Sequence, residues 1–233
     1  MAKSKVIKEL ANGTIDTLTA LKRAKVLLYD LDNQEISDWI NCEITGYPKD
    51  AELPSYRVIR GTLMGSYFKG SLASHATWTN VSLPLGKMPS DAQDKLLNVG
   101  FYEGIDALKQ LLQTSKDNGH HLGASLGADL FPYIAHYNDD PYMMITSARV
   151  SISEHCIQNI FSIVENRLLE ILMTLESEFG NLDDLDIDTS TKTPEELEKI
   201  INNISVIIYN DQRVSIGDKN TIKGSTIASE ITK

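Results

Sequence analysis

From Ile157 to Phe179 apolar residues return every three or four positions: Ile157, Ile160, Val164, Leu168, Ile171, Leu172, Leu175 and Phe179. That is the helical period, so the stretch predicts an amphipathic helix of roughly seven turns ending at Gly180. Ser151 to Glu154 has capping-box spacing in front of it. Cys156, Phe161, Ile163, Leu169 and Met173 widen the apolar surface beyond one stripe. A helix this apolar belongs at the centre of a fold or in a contact with another copy of the chain.

Weaker versions of the pattern lie upstream. Ser4 to Leu10 predicts a short helix closed by Asn12-Gly13. Thr14 then caps a longer one carrying Ile15, Leu18, Leu21, Leu28 and Leu31. Asp32 to Glu35 has capping-box spacing and opens a third helix, with Ile36, Trp39, Ile40 and Ile44 on its apolar side and Gly46-Tyr47-Pro48 ending it. From Tyr56 to Leu83 β-branched and aromatic residues predict two or three strands, turning at Lys69-Gly70. Ser90–Leu97 and Glu103–Leu112 read as helices, residues 118–140 as loop plus a short helix, and Tyr142–Val150 as a strand.

After Gly180 the pattern breaks. Residues 181–192 (NLDDLDIDTSTK) lack helical periodicity and suit a solvated acidic linker. Thr193-Pro194-Glu195-Glu196 starts a short helix with Thr as cap and Pro at the first helical position. Beyond it, Ile204–Tyr209, Val214–Ile216, Thr221-Ile222 and Thr226-Ile227 alternate with turn pairs and read as short strands. Ile216, Ile222 and Ile227 fall 6 and 5 residues apart, a rough rung spacing. So small a strand set must pair with something, as a hairpin on its own domain, a miniature β-solenoid, or strands exchanged between identical chains. The expected class is therefore α+β: N-terminal helices, a small antiparallel sheet, a long amphipathic helix closing the main domain (1–180), the linker (181–192), and a short helix plus β-rich oligomerisation tail (193–233).

Charge sharpens the boundary more than it names a partner. The 233 residues carry a formal charge of -10, which argues against sequence-independent attraction to nucleic acid or to an anionic membrane. Glu176 to Lys199 holds nine acids against two bases, and the main body is close to balance. No apolar run approaches the roughly 20 residues that span a bilayer, and the N-terminus lacks the apolar core of a secretory signal, so the expected location is the cytoplasm. Cys42 and Cys156 are too few for a disulfide framework or a zinc cluster.

Candidate chemistry is sparse. His120-His121 follows a turn with no evident metal-ligand partner; His155 and Cys156 diverge by about 100 degrees on a helix; Asp139-Asp140-Pro141 resembles a turn before a strand. No phosphate-binding glycine loop, nucleophile elbow or HExxH is present. Nothing demands an enzyme, a metal or a cofactor.

The most distinctive stretch joins the third helix to the first strand. Trp39 and Glu43 lie one turn apart on the helix, Gly46-Tyr47-Pro48 ends it, and Leu53, Pro54, Tyr56, Arg57 and Arg60 follow. A Glu43–Arg57 pair would fasten helix to strand, and the same groups could instead form a recognition surface. With W-I-N-x-E-x-x-G-Y at Trp39–Tyr47, E-L-P-x-Y-R at Glu52–Arg57 and V-x-N-R-L-L from Val164 to Leu169, the chain resembles the AbiTii domain of bacterial abortive-infection proteins over about its first 180 residues. The resemblance implies a role in phage defence and supplies no catalytic set. Gly-rich residues 118–137 depart from it.

The expected function is then a non-enzymatic defence module that self-associates and binds a protein effector or a phage component, without a membrane or nucleic-acid partner. Possible interaction residues are Trp39, Glu43, Gly46, Tyr47, Leu53, Pro54, Tyr56, Arg57 and Arg60, and possible oligomerisation residues Ile216, Ile222 and Ile227. Two alternatives are a toxin enzyme acting on nucleic acid, using His120, His121, Arg57, Arg60 and Glu43, and an antitoxin-like regulator whose acidic segment masks a basic partner.

Overall fold

Ile157, Ile160, Val164, Leu168, Ile171, Leu172 and Leu175 have no exposure at all. They form the inner face of α7 (Glu154–Phe179), the longest helix of a computed structural model that describes residues 3–71, 73–118 and 122–209. Around α7 pack α1 (Lys5–Ala11), α2 (Thr17–Tyr29), α5 (Ile105–Asn118) and α8 (Pro194–Tyr209), with α3 (Gln34–Thr45) laid across α2, α5 and α8. Each fully buried aliphatic side chain is worth about 1.5–3 kcal/mol, so α7 is the axle of this chain's own core. Its broad apolar surface is consumed internally, which removes most of it from any contact with a second copy.

The strands form two antiparallel sheets. A short one pairs β1 (Val58–Arg60) with β4 (Asn98–Gly100), and a four-stranded one runs in the order β3 (Ser74–Ser82), β2 (Thr62–Ser71), β6 (Met143–Ile152), β5 (Leu122–Ser125). α4 (Ser90–Leu97) leads into β4, and α6 (Phe131–Tyr137) lies against β6. The chain is thus α+β with small antiparallel sheets, as its patterning predicts. β4 and β5 escaped the sequence reading because three or four residues cannot show alternation. β2 also runs on through Lys69-Gly70, where the predicted turn fell, with Gly70 at φ +120 opposite His75.

Several predicted caps move. Thr14 spends its hydroxyl on the Glu9 carbonyl, and Asp16 caps α2 instead, accepting from the Thr19 amide at 2.9 Å. Asn33 rather than Asp32 caps α3, and Ser151 stays inside β6 instead of capping α7. The box at Thr193 forms in full: the Thr193 amide donates to Glu196 at 2.8 Å and the Glu196 amide to the Thr193 hydroxyl at 3.3 Å.

Beyond Gly180 the chain departs from expectation. Leu182 and Ile187 are buried in the supposed solvated linker, while its four acids face water. Ile204–Tyr209, read as a strand, is the last part of α8. Ile200, Ile204 and Ile208, four residues apart, sink into the seam against α7 and α3, and Tyr209 donates to the Glu35 carbonyl at 3.1 Å. Burial along one face overrides the strand preference of β-branched residues. The helix therefore belongs to the main body, while Ile216, Ile222 and Ile227 of the proposed tail lie outside the described residues.

The N-terminal segment is fastened to the start of that connection. Glu176 accepts from the Ser4 amide at 2.5 Å and the Ser4 hydroxyl at 2.6 Å and pairs with Lys3 at 2.7 Å, while Ser4 Oγ accepts from the Leu182 amide at 2.9 Å. Burial works against the charged form of Glu176, but the Lys3 and Ser4 bonds outweigh it and hold the carboxyl down at about 2. A depressed carboxyl contributes stability that is present above its ordinary value of 4.5 and lost as pH falls toward 2. Acid titration followed by circular dichroism should show this slope between those limits, and Glu176→Gln should flatten it. An unchanged slope in the variant would remove Glu176 as its source.

Candidate functional site

Tyr47, Tyr56 and Arg57 of the conspicuous helix-to-strand stretch turn inward on Glu43. This carboxylate, with no exposure, projects from the last turn of α3. Its Oε1 accepts from the Tyr47 and Tyr56 hydroxyls, both at 2.6 Å, and its Oε2 from the Arg57 guanidinium. Trp39 Nε1 donates to the Tyr56 hydroxyl at 3.1 Å. Arg57, equally buried, reaches on with Nη1 to the carbonyls of Glu103 (2.5 Å) and Phe101 (3.3 Å). Its guanidinium carbon lies 5.2 Å from the Tyr47 ring centre, and that of Arg167 on α7 lies 4.3 Å from the Tyr56 ring centre. Burial and the adjacent Glu43 charge push both tyrosine hydroxyls well above their ordinary range, so both stay protonated donors.

The local sequence places each of these groups. Spacing of four residues stacks Trp39 and Glu43 on one face of α3, and Tyr47 follows just past its end. Gly46 then leaves the helix at φ +101, where a Cβ would sit 2.8 Å from the Tyr102 carbonyl oxygen, and Tyr47 donates its amide to that same oxygen at 2.7 Å. Pro54 starts a single 3-10 turn, Ser55–Arg57, whose closing bond runs from the Arg57 amide to the Pro54 carbonyl at 2.8 Å. Half-buried Leu53 leans toward Gly100. Gly46→Ala should lose about 1–3 kcal/mol, since the backbone must both leave a glycine-only region and move off Tyr102. Urea unfolding would measure it, and a loss within error would mean that this corner yields freely.

Of the residues expected to form a recognition surface, Trp39, Glu43, Tyr56 and Arg57 are buried, and Gly46, Tyr47, Leu53 and Pro54 are half-buried. Arg60 alone is exposed, in a pair with Asp94 on α4. The sequence reading placed Arg167 in the V-x-N-R-L-L string without joining it to this site, and missed the Phe101 and Glu103 carbonyls. Arg167 could have been joined to it, because it interrupts the apolar face of α7 between Val164 and Leu168.

Asp139 and Asp140 do not assemble with this cluster. Asp139 pairs with Lys87 at 2.5 Å and Asp140 with Lys69 at 2.8 Å, and each lysine holds its carboxyl below the ordinary range, the reverse of what a general acid needs. His120 and His121 lie outside the described residues. Among the described residues no group of three or more His, Cys, Asp or Glu side chains could hold a metal ion, and no helix is long and apolar enough to cross a membrane. A cavity of about 650 Å³ opens between α6 and β6 and is lined by Phe131, Ala135, His136, Met143 and Ile145 with Asp139 and Asp140 at its side.

Compared with known families, the chain matches the AbiTii model over residues 4–201. The match runs from the Ser4 anchor into α8, past residue 180. Neither a curated protein nor a solved structure matches the chain.

Proposed function

The chain belongs to the AbiTii family, and from that membership we propose a non-enzymatic module of abortive infection, the phage-defence response, that acts by self-association and by binding a protein effector or a phage component. One observation carries the non-enzymatic part. Four polar side chains of the family strings, Glu43, Tyr47, Tyr56 and Arg57, bond to one another inside the fold. A signature so used encodes a shared scaffold, and action by such a scaffold falls to its surface. Trp78, Tyr133, Tyr142 and Met144 around the four-stranded sheet, and Val206 and Tyr209 on α8, supply exposed apolar groups for binding.

Light scattering on the full chain at micromolar concentration, with a pull-down from phage-challenged cells, tests this reading. A species larger than one chain and a specific captured protein are the expected results. A monomer at every concentration removes the self-association part. Turnover of a nucleic-acid substrate, abolished by a surface substitution in a folded variant, removes the non-enzymatic part.

A further inference from the structure

We propose that the free edge of β3 joins two copies of this chain, antiparallel across a two-fold axis, into one continuous sheet; this rests on the self-association read above and gives it a place. Among the described residues β3 ends the four-stranded sheet and bonds only to β2 within it, and every residue from Ser74 to Asn80 is exposed. Its outer edge therefore offers a row of backbone donors and acceptors to another strand. Natural edges are usually guarded by Lys, Pro, inward charge or a bulge. The strand Ser74–Ser82, SHATWTNVS, has no Pro and no acidic, Lys or Arg residue, and from Ser74 to Trp78 it keeps regular register with Ser71 to Tyr67, the irregularity falling only beyond Trp78.

The edge carries an anchor as well. The Trp78 ring is 37% exposed yet stacked on Tyr67 at 4.9 Å with 10° between planes. An aromatic side chain already held in one orientation loses little freedom when covered.

Charge selects the occupant. Two copies of a chain bearing -10 repel one another over most of their surface. None of the four strands contains Asp or Glu, so two sheets can meet edge to edge without opposing acids. The same strands contain just two Lys or Arg, Lys69 bonded to Asp140 and Arg149 bonded to Asn80. That is poor provision for a nucleic-acid strand, whose binding rests on several free cations along a groove. An antiparallel strand is also complementary to itself across a two-fold axis, the commonest symmetry of soluble assemblies.

Thr77→Lys and, separately, Thr79→Lys in the full chain test the proposal by light scattering and by hydrogen exchange over a concentration series. In the unaltered chain the amides of Ser74–Trp78 should become protected as concentration rises. Each lysine should weaken association by at least about tenfold, since like charges then face one another, with unfolding temperature unchanged. Having both variants keeps the test open should one fail to fold. Association that persists undiminished, with β3 amides unprotected, overturns the β3 interface and leaves self-association standing elsewhere. A monomeric unaltered chain overturns both. Tighter binding of a fluorescent single-stranded oligonucleotide by Thr77→Lys, by a chain that is monomeric without it, overturns the proposal in favour of a nucleic-acid partner.

Discussion

Arg57→Met is expected to destabilise the protein by about 3–5 kcal/mol, the usual cost of stranding one half of a buried ion pair. For a chain of this size the loss corresponds to a fall of roughly 10 °C in unfolding temperature, measurable by calorimetry. The substitution fills similar space but leaves Glu43 charged among Trp39, Tyr47 and Tyr56, and takes the donor from the Phe101 and Glu103 carbonyls. Arg57→Lys should recover little, because one ammonium cannot reach a carboxylate and two carbonyls together as the fork does. Combining Arg57→Met with Glu43→Gln should cost less than the two separate losses added, since neither charge then remains buried alone. Strict additivity would mean that the two groups act independently, contrary to their geometry.

How much of this cluster the sequence disclosed depended on distance along the chain. Trp39 and Glu43 share a face by helical spacing alone, and Arg57 follows across a proline-stiffened connection, so the Glu43–Arg57 fastening was legible. The Phe101 and Glu103 carbonyls that complete the Arg57 site were not, because any residue offers a carbonyl and only the β1–β4 pairing brings these close. Arg57 and Phe101 make the point directly: the Phe101 amide donates to the Arg57 carbonyl at 2.9 Å, and that contact joins elements separated by the whole β2–β3 hairpin and α4. Burial was the other hidden quantity. Aromatic and charged residues in family strings serve equally for an exposed surface and for an interior joint, and only the packing of α3 against α5 and of the Ser55–Arg57 turn against α7 decides between them.

The charge pattern misled for a related reason. The acids of residues 181–192 are mostly solvated, as their composition predicts, but Leu182 and Ile187 among them are buried. Two buried aliphatic residues outweigh the hydrophilic average of the segment, because burial is decided residue by residue.

Ending the chain after Lys192 is therefore expected to abolish cooperative unfolding, although only the supposed appendage would be removed. Ile200, Ile204 and Ile208 each bury a side chain worth about 1.5–3 kcal/mol, and their loss also exposes the apolar strip of α7 and α3 that they cover. The combined effect, about 5–9 kcal/mol from the three isoleucines, rivals the whole stability of an ordinary domain, about 5–15 kcal/mol. Ile204→Asp in the full chain asks the same question with one residue, by setting a charge where Ile204 has no exposure, and should also destabilise severely. A chain ending at Tyr209 keeps α8, so comparing it with the Lys192 product separates loss of the helix from loss of residues 210–233. The expected results are a sharp transition in the longer product and a broad or absent one in the shorter, read by circular dichroism and near-ultraviolet signal. If the Lys192 product melts as sharply and as high as the full chain, α8 is a separable appendage and the acidic segment is the domain boundary that its composition first suggested.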